Sequence, residues 1–334
     1  MPAVRIGTRA SALALTQTGH VADDLARLGG FDVEIVHVRT EGDRLTGSLA
    51  TLGGTGVFVT ALRDALLEGR CDVAVHSLKD LPTAPAPGLT VAAVPLREDP
   101  SDALCARDGL TLRELPAGAR VGTGSPRRAA QLLAARPDLE VVDIRGNVDT
   151  RLGRVRGSGH GPGDLDAVVL ARAGLARLGR LDAVTEVLGP DVMLPAPGQG
   201  ALAVEVRTAD LADPASPLAA ALAALDHEPT RLAVVAERAL LARLEAGCAA
   251  PVGALGRIDD ATVHLEAVVA RTDGTRLLRE GVSVGVSFGW EGDPPAPLPH
   301  PVADEQTARS AGEDLADLLL EQGAAELAPL GPGA

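Results

Sequence analysis

The stretch Asp72-Val-Ala-Val-His-Ser-Leu-Lys-Asp-Leu-Pro82 decides the fold class of this chain. Residues 72–76 have small apolar residues at their centre and predict a short buried strand. Before them, apolar residues at helical spacing over 57–68 end at Gly69, a residue type that commonly stops helices. A β run at 33–38 comes earlier still. Strand, helix and strand therefore alternate, and this pattern predicts an α/β fold with a parallel or mixed sheet.

The same alternation continues on both sides of that stretch. A strand at 4–7 precedes a helix that Ser11 caps and that runs to about Leu28. Ser125-Pro126 forms a second cap, with proline at the first helical position. Further strands are predicted at 89–94, 119–122, 140–144, 167–170 and 201–206, and further helices at 126–135 and 147–156. Two successive α/β sets result.

A third, smaller unit follows the change in character after Pro195. Its predicted helices lie at 217–224 and 230–244, its alternating β runs at 263–271 and 276–286, and its last helix at 302–322, after a Pro-rich stretch at 294–301. The two alternating runs are typical of an antiparallel pair. We therefore expect this unit to be α+β.

Composition excludes several classes of protein. With 46% hydrophobic and 23% charged residues, the chain is globular and not disordered. A net charge of −14 and a lack of tyrosine make it a poor binder of nucleic acid or anionic membranes. Three cysteines without CxxC spacing disfavour a disulfide framework, and seven scattered histidines disfavour a zinc hydrolase. The first residues contain no secretory apolar segment, so we expect a cytoplasmic protein.

Lys79 is the only lysine among 31 basic residues. It lies beside Asp80 in the turn after the strand at 72–76, and open α/β sheets bind ligands at the carboxyl ends of their strands. A solvated ion pair is the alternative explanation. A lysine in a chain that otherwise uses arginine indicates a need for a compact charge or a titratable amine.

Arginines cluster in this otherwise acidic chain. Gly122-Thr-Gly-Ser-Pro-Arg-Arg128 lies at a strand-to-helix turn, where free N–H groups, the helix dipole and two guanidinium groups would converge on an anion. Alternatively, Arg127 and Arg128 extend into water. If these arginines serve only to bind a ligand, replacing Arg127 with leucine is expected to change the unfolding temperature little.

Cys248 is the third candidate for chemistry. It lies in a run of small residues at 246–250, which leaves space for a bulky adduct. Cys71 and Cys105 lie in apolar β segments, where buried, inert thiols are common. Only a minority of loop cysteines are nucleophiles or attachment points, so its position alone leaves both possibilities open.

Together, these motifs resemble the porphobilinogen deaminase (hydroxymethylbilane synthase) family. They occur in the family's order over about residues 4–285 and the last helix. The resembling stretches are Arg5–Ser11, His76–Pro82, Gly122–Arg128, Ile144–Leu152, Leu170–Leu178, Pro195–Glu205 and Glu237–Cys248. Seven ordered motifs are far more specific than any one of them.

The resemblance implies a transferase of tetrapyrrole and heme biosynthesis. Such an enzyme joins four porphobilinogen molecules head to tail, releases ammonia and hydrolyses off the linear tetrapyrrole hydroxymethylbilane. The growing chain is primed on a dipyrromethane cofactor, held by a thioether to the cysteine that matches Cys248. The implied fold has two domains like those of periplasmic binding proteins, residues 1–98 with 197–222 and residues 103–195, and a third domain at 226–334. We expect a monomer whose partner is the small substrate, with no nucleic acid, membrane or metal.

The resemblance also assigns roles to individual residues. Asp80 matches the catalytic carboxylate, which stabilises the cation that forms when ammonia leaves. Arginine forks match the acetate and propionate groups of pyrroles bidentately, and Phe58 matches an aromatic residue beside the cofactor rings. The implied cofactor and substrate ligands are Arg9, Ser11, Phe58, Ser77, Lys79, Thr123, Ser125, Arg127, Arg128, Arg145, Asn147, Arg151, Arg177 and Gln199.

Some positions depart from the family's usual residues. They are Thr55 in place of a lysine, Gly124 in place of a serine, Pro126 in place of a leucine, Ala246 in place of a glycine, and a Pro-rich insertion near Trp290. These departures bear on rate and lid behaviour more than on reaction type. Two alternatives remain: a non-catalytic, two-lobed binding protein for an anionic small molecule, and a weakly active paralogue. The first gives no role to Cys248 or Asp80.

Overall fold

Two five-stranded sheets and one three-stranded sheet organise the chain. The structure, a computed structural model, describes residues 3–38, 56–159, 161–247, 250–285 and 301–330, and at 56–58 and 301–304 it describes the backbone only. The strands are β1 (Val4–Thr8), β2 (Val33–His37), β3 (Val73–Ser77), β4 (Leu89–Ala93), β5 (Asp102–Ala106), β6 (Arg120–Gly122), β7 (Glu140–Val142), β8 (Ala167–Ala171), β9 (Glu186–Leu188), β10 (Leu202–Arg207), β11 (Val252–Asp259), β12 (Thr262–Ala270) and β13 (Leu277–Gly285). The α-helices are α1 (Ala12–Gly29), α2 (Gly56–Leu67), α3 (Pro126–Ala135), α4 (Val148–Leu152), α5 (Arg172–Arg177), α6 (Pro217–Leu225), α7 (Glu228–Arg243), α8 (Pro301–Glu321) and α9 (Ala324–Leu327).

The chain forms two compact units, of which the first comprises Met1–Asp99, Ala173–Arg180 and Gly198–Arg231. Its sheet has the order β2-β1-β3-β10-β4. Strands β1, β2 and β3 are parallel, and β10 runs antiparallel to both of its neighbours. The carboxyl ends of β1 and β3 and the amino end of β10 therefore lie at one edge of this sheet, which brings together the residues that follow or precede them.

Alternation along the strands divides the core of the first unit between two faces. One face is apolar: α1 packs on β1, β2 and β3, and α6 packs on α1 and β4, with Leu25, Val75, Val204 and Leu222 buried. The other face packs α2, with Leu62, Leu66, Cys71 and Ala74 among its buried residues. The second face also carries buried polar side chains, which are described below.

The second unit comprises Pro100–Arg172, Leu181–Pro197 and Leu232–Ala334. Its five-stranded sheet has the order β7-β6-β8-β5-β9, with β5 antiparallel to β8 and β9. Both large sheets thus combine three adjacent parallel strands with one antiparallel strand in the fourth place. Leu104, Val121, Leu132 and Val169 are fully buried in its core. This architecture confirms the predicted class of two α/β parts with mixed sheets.

The antiparallel sheet β11-β12-β13 packs α7, α8 and α9 around a separate core in the second unit. The predicted pair of strands corresponds to β12 and β13, and β11 was missed because Gly253 and Gly256 weaken its pattern. Gly256 is needed there: a Cβ atom would lie 2.6 Å from the carbonyl oxygen of Ala233 on α7. The unit is α+β, as expected.

Local chemistry places several helix ends where the sequence predicts them. Ser11 accepts a hydrogen bond from the N–H of Ala14 at the start of α1, and Gly30 ends that helix in the left-handed region, with φ 62°. The helix predicted over 147–156 is shorter, because the chain leaves α4 at Gly153 and Val155 forms a β-bridge with Leu165. The three-domain boundaries stay a prediction.

Candidate active site

The turn after β3 carries the predicted catalytic pair. Residues Leu78–Asp80 form a single 3₁₀ turn, in which Leu78 is buried, Lys79 is half-buried and Asp80 is exposed. The N–H of Leu78 donates to the carbonyl oxygen of Ala201 at 3.0 Å, and Leu81 is also buried. Two buried leucines thus anchor the turn and leave Asp80 on its accessible side.

The segment before β10 packs directly against this turn. Gly198 has φ 77°, and a Cβ atom there would lie 3.2 Å from the backbone nitrogen of Lys79, so glycine meets both a conformational and a steric need. Gln199 is only 1% exposed, and its Oε1 accepts a hydrogen bond from Lys79 Nζ at 3.4 Å. The structure therefore brings together Lys79 and Gln199, which are 120 positions apart in the sequence.

Two further arginines hold the backbone around Gln199. Arg177 donates from Nη2 to the carbonyl oxygen of Gly200 at 2.7 Å, and Arg97 donates from Nε to that of Gln199 at 2.8 Å. Burial lowers the pKa of the Arg177 guanidinium, whereas the charge of Glu98 acts to raise it. Arg177 thus lies in the first unit beside the Lys79 turn, and Arg97 is a member of this group that the sequence analysis did not identify.

Ser77 and Ser11 lie at the same edge of the first sheet. Ser77, the last residue of β3, hydrogen bonds to the side chain of Gln17 on α1 at 3.2 Å. Ser11 caps α1, and Arg9 lies half-buried between β1 and that cap. Parallel strands β1 and β3 therefore bring Arg9, Ser11, Ser77 and the Lys79–Asp80 pair to one edge, as the position of their motifs predicts.

In the second unit, the predicted residues surround the starts of α3 and α4. Ser125 caps α3, and Thr123 Oγ1 accepts a hydrogen bond from the N–H of Ser125 at 3.2 Å. Asn147 caps α4 by accepting from the N–H of Thr150 at 2.8 Å. These three polar side chains shape the turns after β6 and β7.

Arg127 and Arg128 do not extend into water; they are buried against Asp102. The side chain of Asp102 is 0% exposed and those of the arginines are 4% and 7% exposed. Arg127 Nη1 lies 2.8 Å from Asp102 Oδ2 and also donates to the carbonyl oxygen of Leu194. Arg128 donates from Nε and Nη2 to Asp102 Oδ1, at 3.0 and 2.7 Å. Burial acts to raise the pKa of Asp102, but the two guanidinium charges hold it well below its usual range.

This arrangement changes one expectation drawn from the sequence. An arginine that bridges a buried carboxylate to the Leu194 backbone contributes to folding. The loss of Arg127 should therefore lower the unfolding temperature. Sequence reasoning missed Asp102 because its partners lie 25 and 26 positions away, and no local pattern marks it.

Positive charge is in excess around Arg151. Its Nε donates to the carbonyl oxygen of Gly146 at 2.8 Å. Burial lowers the pKa of Arg151, and the positive charges of Arg128 and Arg145 lower it further, whereas the charge of Asp143 acts to raise it. Arg145 is partly exposed, and within the described residues its ion-pair contact, to Asp143, is a loose 3.8 Å. An anionic ligand would relieve this repulsion, so the group fits a molecule with several carboxylates.

Two of the three cysteines lie in the described part of the chain. Cys248 lies outside the described residues, as do Thr55 and the Pro-rich insertion, and the side chain of Phe58 is also not described. Cys71 and Cys105 are buried. Burial raises the pKa of Cys71, and burial together with the charge of Asp182 raises that of Cys105 to about 12. Neither thiol is therefore suited to form a thioether.

Gly124 explains one departure from the family pattern. A Cβ atom at this position would lie 2.5 Å from the carbonyl oxygen of Ile144. A serine would therefore require the backbone of one of the two turns to move.

Within the described ranges, no group of three or more His, Cys, Asp or Glu side chains is placed to hold a metal ion. No helix in the described part of the chain is both long and apolar enough to span a membrane.

Comparison with protein families matches residues 4–213 to the dipyromethane cofactor binding domain of porphobilinogen deaminase and residues 231–321 to its C-terminal domain. The chain belongs to the porphobilinogen deaminase family. Porphobilinogen deaminase from Leifsonia xyli is 58% identical over 98% of this chain and 95% of its own length. Porphobilinogen deaminase from Cutibacterium acnes is 56% identical over 99% of this chain and 98% of its own length. Among solved structures, an ABC-transporter periplasmic substrate-binding protein from Coxiella burnetii aligns with a TM-score of 0.41 and 18% identity, over 66% of this chain and 91% of that chain.

Proposed function

We propose that this chain joins four porphobilinogen molecules head to tail, releases ammonia and hydrolyses off hydroxymethylbilane for tetrapyrrole biosynthesis. The observation that carries the proposal is the match to both family domains, together with 58% identity to a porphobilinogen deaminase over 98% of the chain. The non-catalytic binding protein is disfavoured, because it leaves that full-length similarity and the Lys79–Asp80 turn without an explanation.

Asp80 is our candidate for the catalytic carboxylate. It is exposed on a turn whose neighbours Leu78 and Leu81 are buried, so its side chain is accessible while its backbone is held. A carboxylate there would stabilise the cationic pyrrole that remains when ammonia leaves, and would exchange the proton of the ring nitrogen. Lys79, oriented by Gln199, would meet a substrate carboxylate at the same edge.

The arginines divide into two groups by their contacts. Arg145 and Arg151 carry an excess of positive charge, and we propose that they bind the acetate and propionate groups of the pyrroles. Arg127 and Arg128 are engaged with Asp102, and we propose that they support those ligands by fixing the start of α3. The rest of the proposed binding set consists of Arg9, Ser11, Ser77, Thr123, Ser125, Asn147, Arg177 and Gln199.

The arginines around Arg151 fit a cofactor rich in carboxylates. We propose that Cys248, which matches the cysteine of the family motif over Glu237–Cys248, holds a dipyrromethane through a thioether. Burial raises the pKa values of Cys71 and Cys105, which disfavours both for this role. When bound, this group supplies the pyrrole end to which the first substrate is joined. Phe58 is proposed to lie beside its rings. We further propose a cytoplasmic monomer, with domains at 1–98 with 197–222, at 103–195 and at 226–334.

Ammonia release tests the function directly. Purified protein is incubated with porphobilinogen, and ammonia and hydroxymethylbilane are measured together. We expect four ammonia molecules for each tetrapyrrole, and a loss of about 10²–10⁴-fold in single-turnover rate for cofactor-loaded Asp80→Asn. Binding of porphobilinogen without ammonia release would support the binding protein instead. General acid–base groups contribute at least about 10²-fold to the rate. A single-turnover rate of Asp80→Asn within a few-fold of wild type would therefore remove Asp80 from the mechanism.

A further inference from the structure

A carboxylate is buried in the middle of the first sheet. Glu205 lies on β10, an interior strand between β3 and β4, and its side chain is 2% exposed. Glutamate is almost never fully buried unless it is paired. Its partners are Arg63, which donates to it from Nε and Nη2 at 2.9–3.2 Å, and His76, whose Nε2 lies 3.2 Å from Glu205 Oε2. The His76 side chain is 3% exposed.

The three side chains join three different elements. His76 on β3 pairs in register with Ala203, so Glu205 is its diagonal neighbour on the same face of the sheet. That face packs α2, which provides Arg63. Burial acts to raise the pKa of Glu205, but the close contact with His76 and the hydrogen bonds and charge of Arg63 hold it below its usual range. The network is thus an ionised carboxylate that connects β3, β10 and α2.

Each of these elements leads into a residue of the proposed active site. His76 directly precedes Ser77 and the Lys79–Asp80 turn on β3. Glu205 follows Gln199 by six positions. Between them lies Ala201, whose carbonyl oxygen accepts the backbone hydrogen bond from Leu78. Arg63 follows Phe58 by five positions on α2. A shift of any one element relative to the other two would therefore displace a side chain on which the reaction depends.

Stability alone does not account for this network. Buried ion pairs lose about as much in desolvation as they gain in attraction, and apolar residues of similar volume are often as stabilising. The opposite face of the same sheet is apolar around Val75 and Val204, so the fold accommodates apolar packing on these same strands. What an apolar replacement cannot provide is a fixed, directional connection among the three elements.

We propose that Glu205 is a positioning residue for the reaction, which acts through His76 and Arg63 to hold the Lys79–Asp80 turn in register with α2 and the Gln199 segment. This inference rests on the proposed function. Misplacement by about 1 Å costs on the order of 10²-fold in rate, so cofactor-loaded Glu205→Gln should lose about 10–100-fold in single-turnover rate. The loss should appear mainly in the rate at saturating porphobilinogen, because Glu205 does not contact the substrate.

The first sheet contains a matched control. Asp72 directly precedes β3, at the end opposite the Lys79–Asp80 turn, and is also a carboxylate that pairs with two cations, Arg5 at 2.8 Å and Arg207 at 3.0 Å. Asp72→Asn should lower the urea midpoint as Glu205→Gln does, but it should leave the loaded single-turnover rate within about threefold of wild type, below the ~10-fold effect expected for misplacement. A purely structural role would affect both variants alike.

The double variant Arg63→Met with Glu205→Gln separates folding from positioning. Removing both charges avoids an unpaired buried cation, so the urea midpoint should recover toward wild type while the rate stays low. This variant also decides the question if Glu205→Gln alone does not fold. In every protein, the loaded fraction is measured by intact mass and rates are normalised to it.

The outcomes separate the two proposals. Wild-type protein that neither carries an adduct nor releases ammonia contradicts the proposed function, and this inference with it. Active wild type together with a loaded Glu205→Gln protein at the wild-type rate contradicts the inference alone. So does a double variant that recovers both midpoint and rate, or an Asp72→Asn protein that loses as much rate as Glu205→Gln.

Discussion

Replacing Arg127 with methionine should destabilise the second unit strongly. The change keeps a long unbranched side chain but removes one of the two guanidinium groups that contact the fully buried Asp102. Of Arg127 and Arg128, only Arg128 then pairs with that carboxylate. It also removes one donor to the Leu194 carbonyl oxygen, which keeps a hydrogen bond from Gln131 Nε2 at 3.1 Å. Breaking a buried pair by removing one partner costs about 3–5 kcal/mol. Because Arg128 still donates to Asp102 through two nitrogens, we expect the lower part of that range, about 3–4 kcal/mol.

Equilibrium unfolding in urea, followed by circular dichroism at pH 7, measures this loss. Urea is preferred to guanidinium because it does not screen charge. Arg243→Met is the control, because Arg243 forms an exposed ion pair with Asp317 at 2.7 Å, and such pairs contribute about 0–1 kcal/mol. An Arg127→Met protein within about 1 kcal/mol of wild type, the range of an exposed pair, would refute the argument.

The same network has a definite pH dependence. The folded-state pKa of Asp102 is depressed, so the folded state binds fewer protons at this site than the unfolded state near the unfolded value of about 3.9. The stabilisation is therefore fully present above that value and is lost as the pH falls through it toward the folded-state pKa. The difference in unfolding free energy between wild type and Asp102→Asn should be constant from about pH 7 to 5 and should shrink below about pH 4.

Three further predictions concern single positions. Arg145→Leu should abolish or strongly slow turnover while changing the unfolding free energy by less than about 1 kcal/mol, because Arg145 is partly exposed and only loosely paired; normal turnover in this variant would show that it is only surface charge. Gly124→Ser should lose about 1–3 kcal/mol in urea unfolding, because its Cβ would lie 2.5 Å from the Ile144 carbonyl oxygen, and an equally stable variant would contradict that contact. Iodoacetamide at pH 8 should leave Cys71 and Cys105 unmodified in the native protein and alkylate both in urea, since burial raises both pKa values; rapid labelling without urea would be the opposite result.

Local chemistry explains what the sequence could predict of the fold. Ser11, Ser125 and Asn147 occupy cap positions because their side chains satisfy free N–H groups of the next turn, and that requirement is visible in a few consecutive residues. The position of the Lys79–Asp80 turn follows equally simply. A buried strand must end, and polar residues at its carboxyl end lie at the ligand-binding edge of an α/β sheet.

Buried charges could not be predicted in this way. Asp102 and Glu205 lie in short apolar strands, and only the tertiary structure brings arginines within hydrogen-bond distance of them, from 26 and 142 positions away. The residues next to Arg127 and Arg128 in the sequence therefore suggest a ligand or water as their partner, and nothing near them indicates an internal carboxylate. Strand β11 was missed for a related reason: the close approach of α7 requires its Gly256, and glycine reduces the strand signal.

The mass of the intact purified protein tests the central claim most directly. A chain that primes its own polymerisation should carry a covalent increment equal to two porphobilinogen molecules less two ammonia molecules, one lost when the thioether forms and one when the second ring is joined to the first. We expect this increment in wild type, Cys71→Ser and Cys105→Ser and not in Cys248→Ser, with peptide mapping to Cys248. Wild-type protein of unmodified mass after exposure to porphobilinogen, or an adduct that persists in Cys248→Ser, would contradict the account.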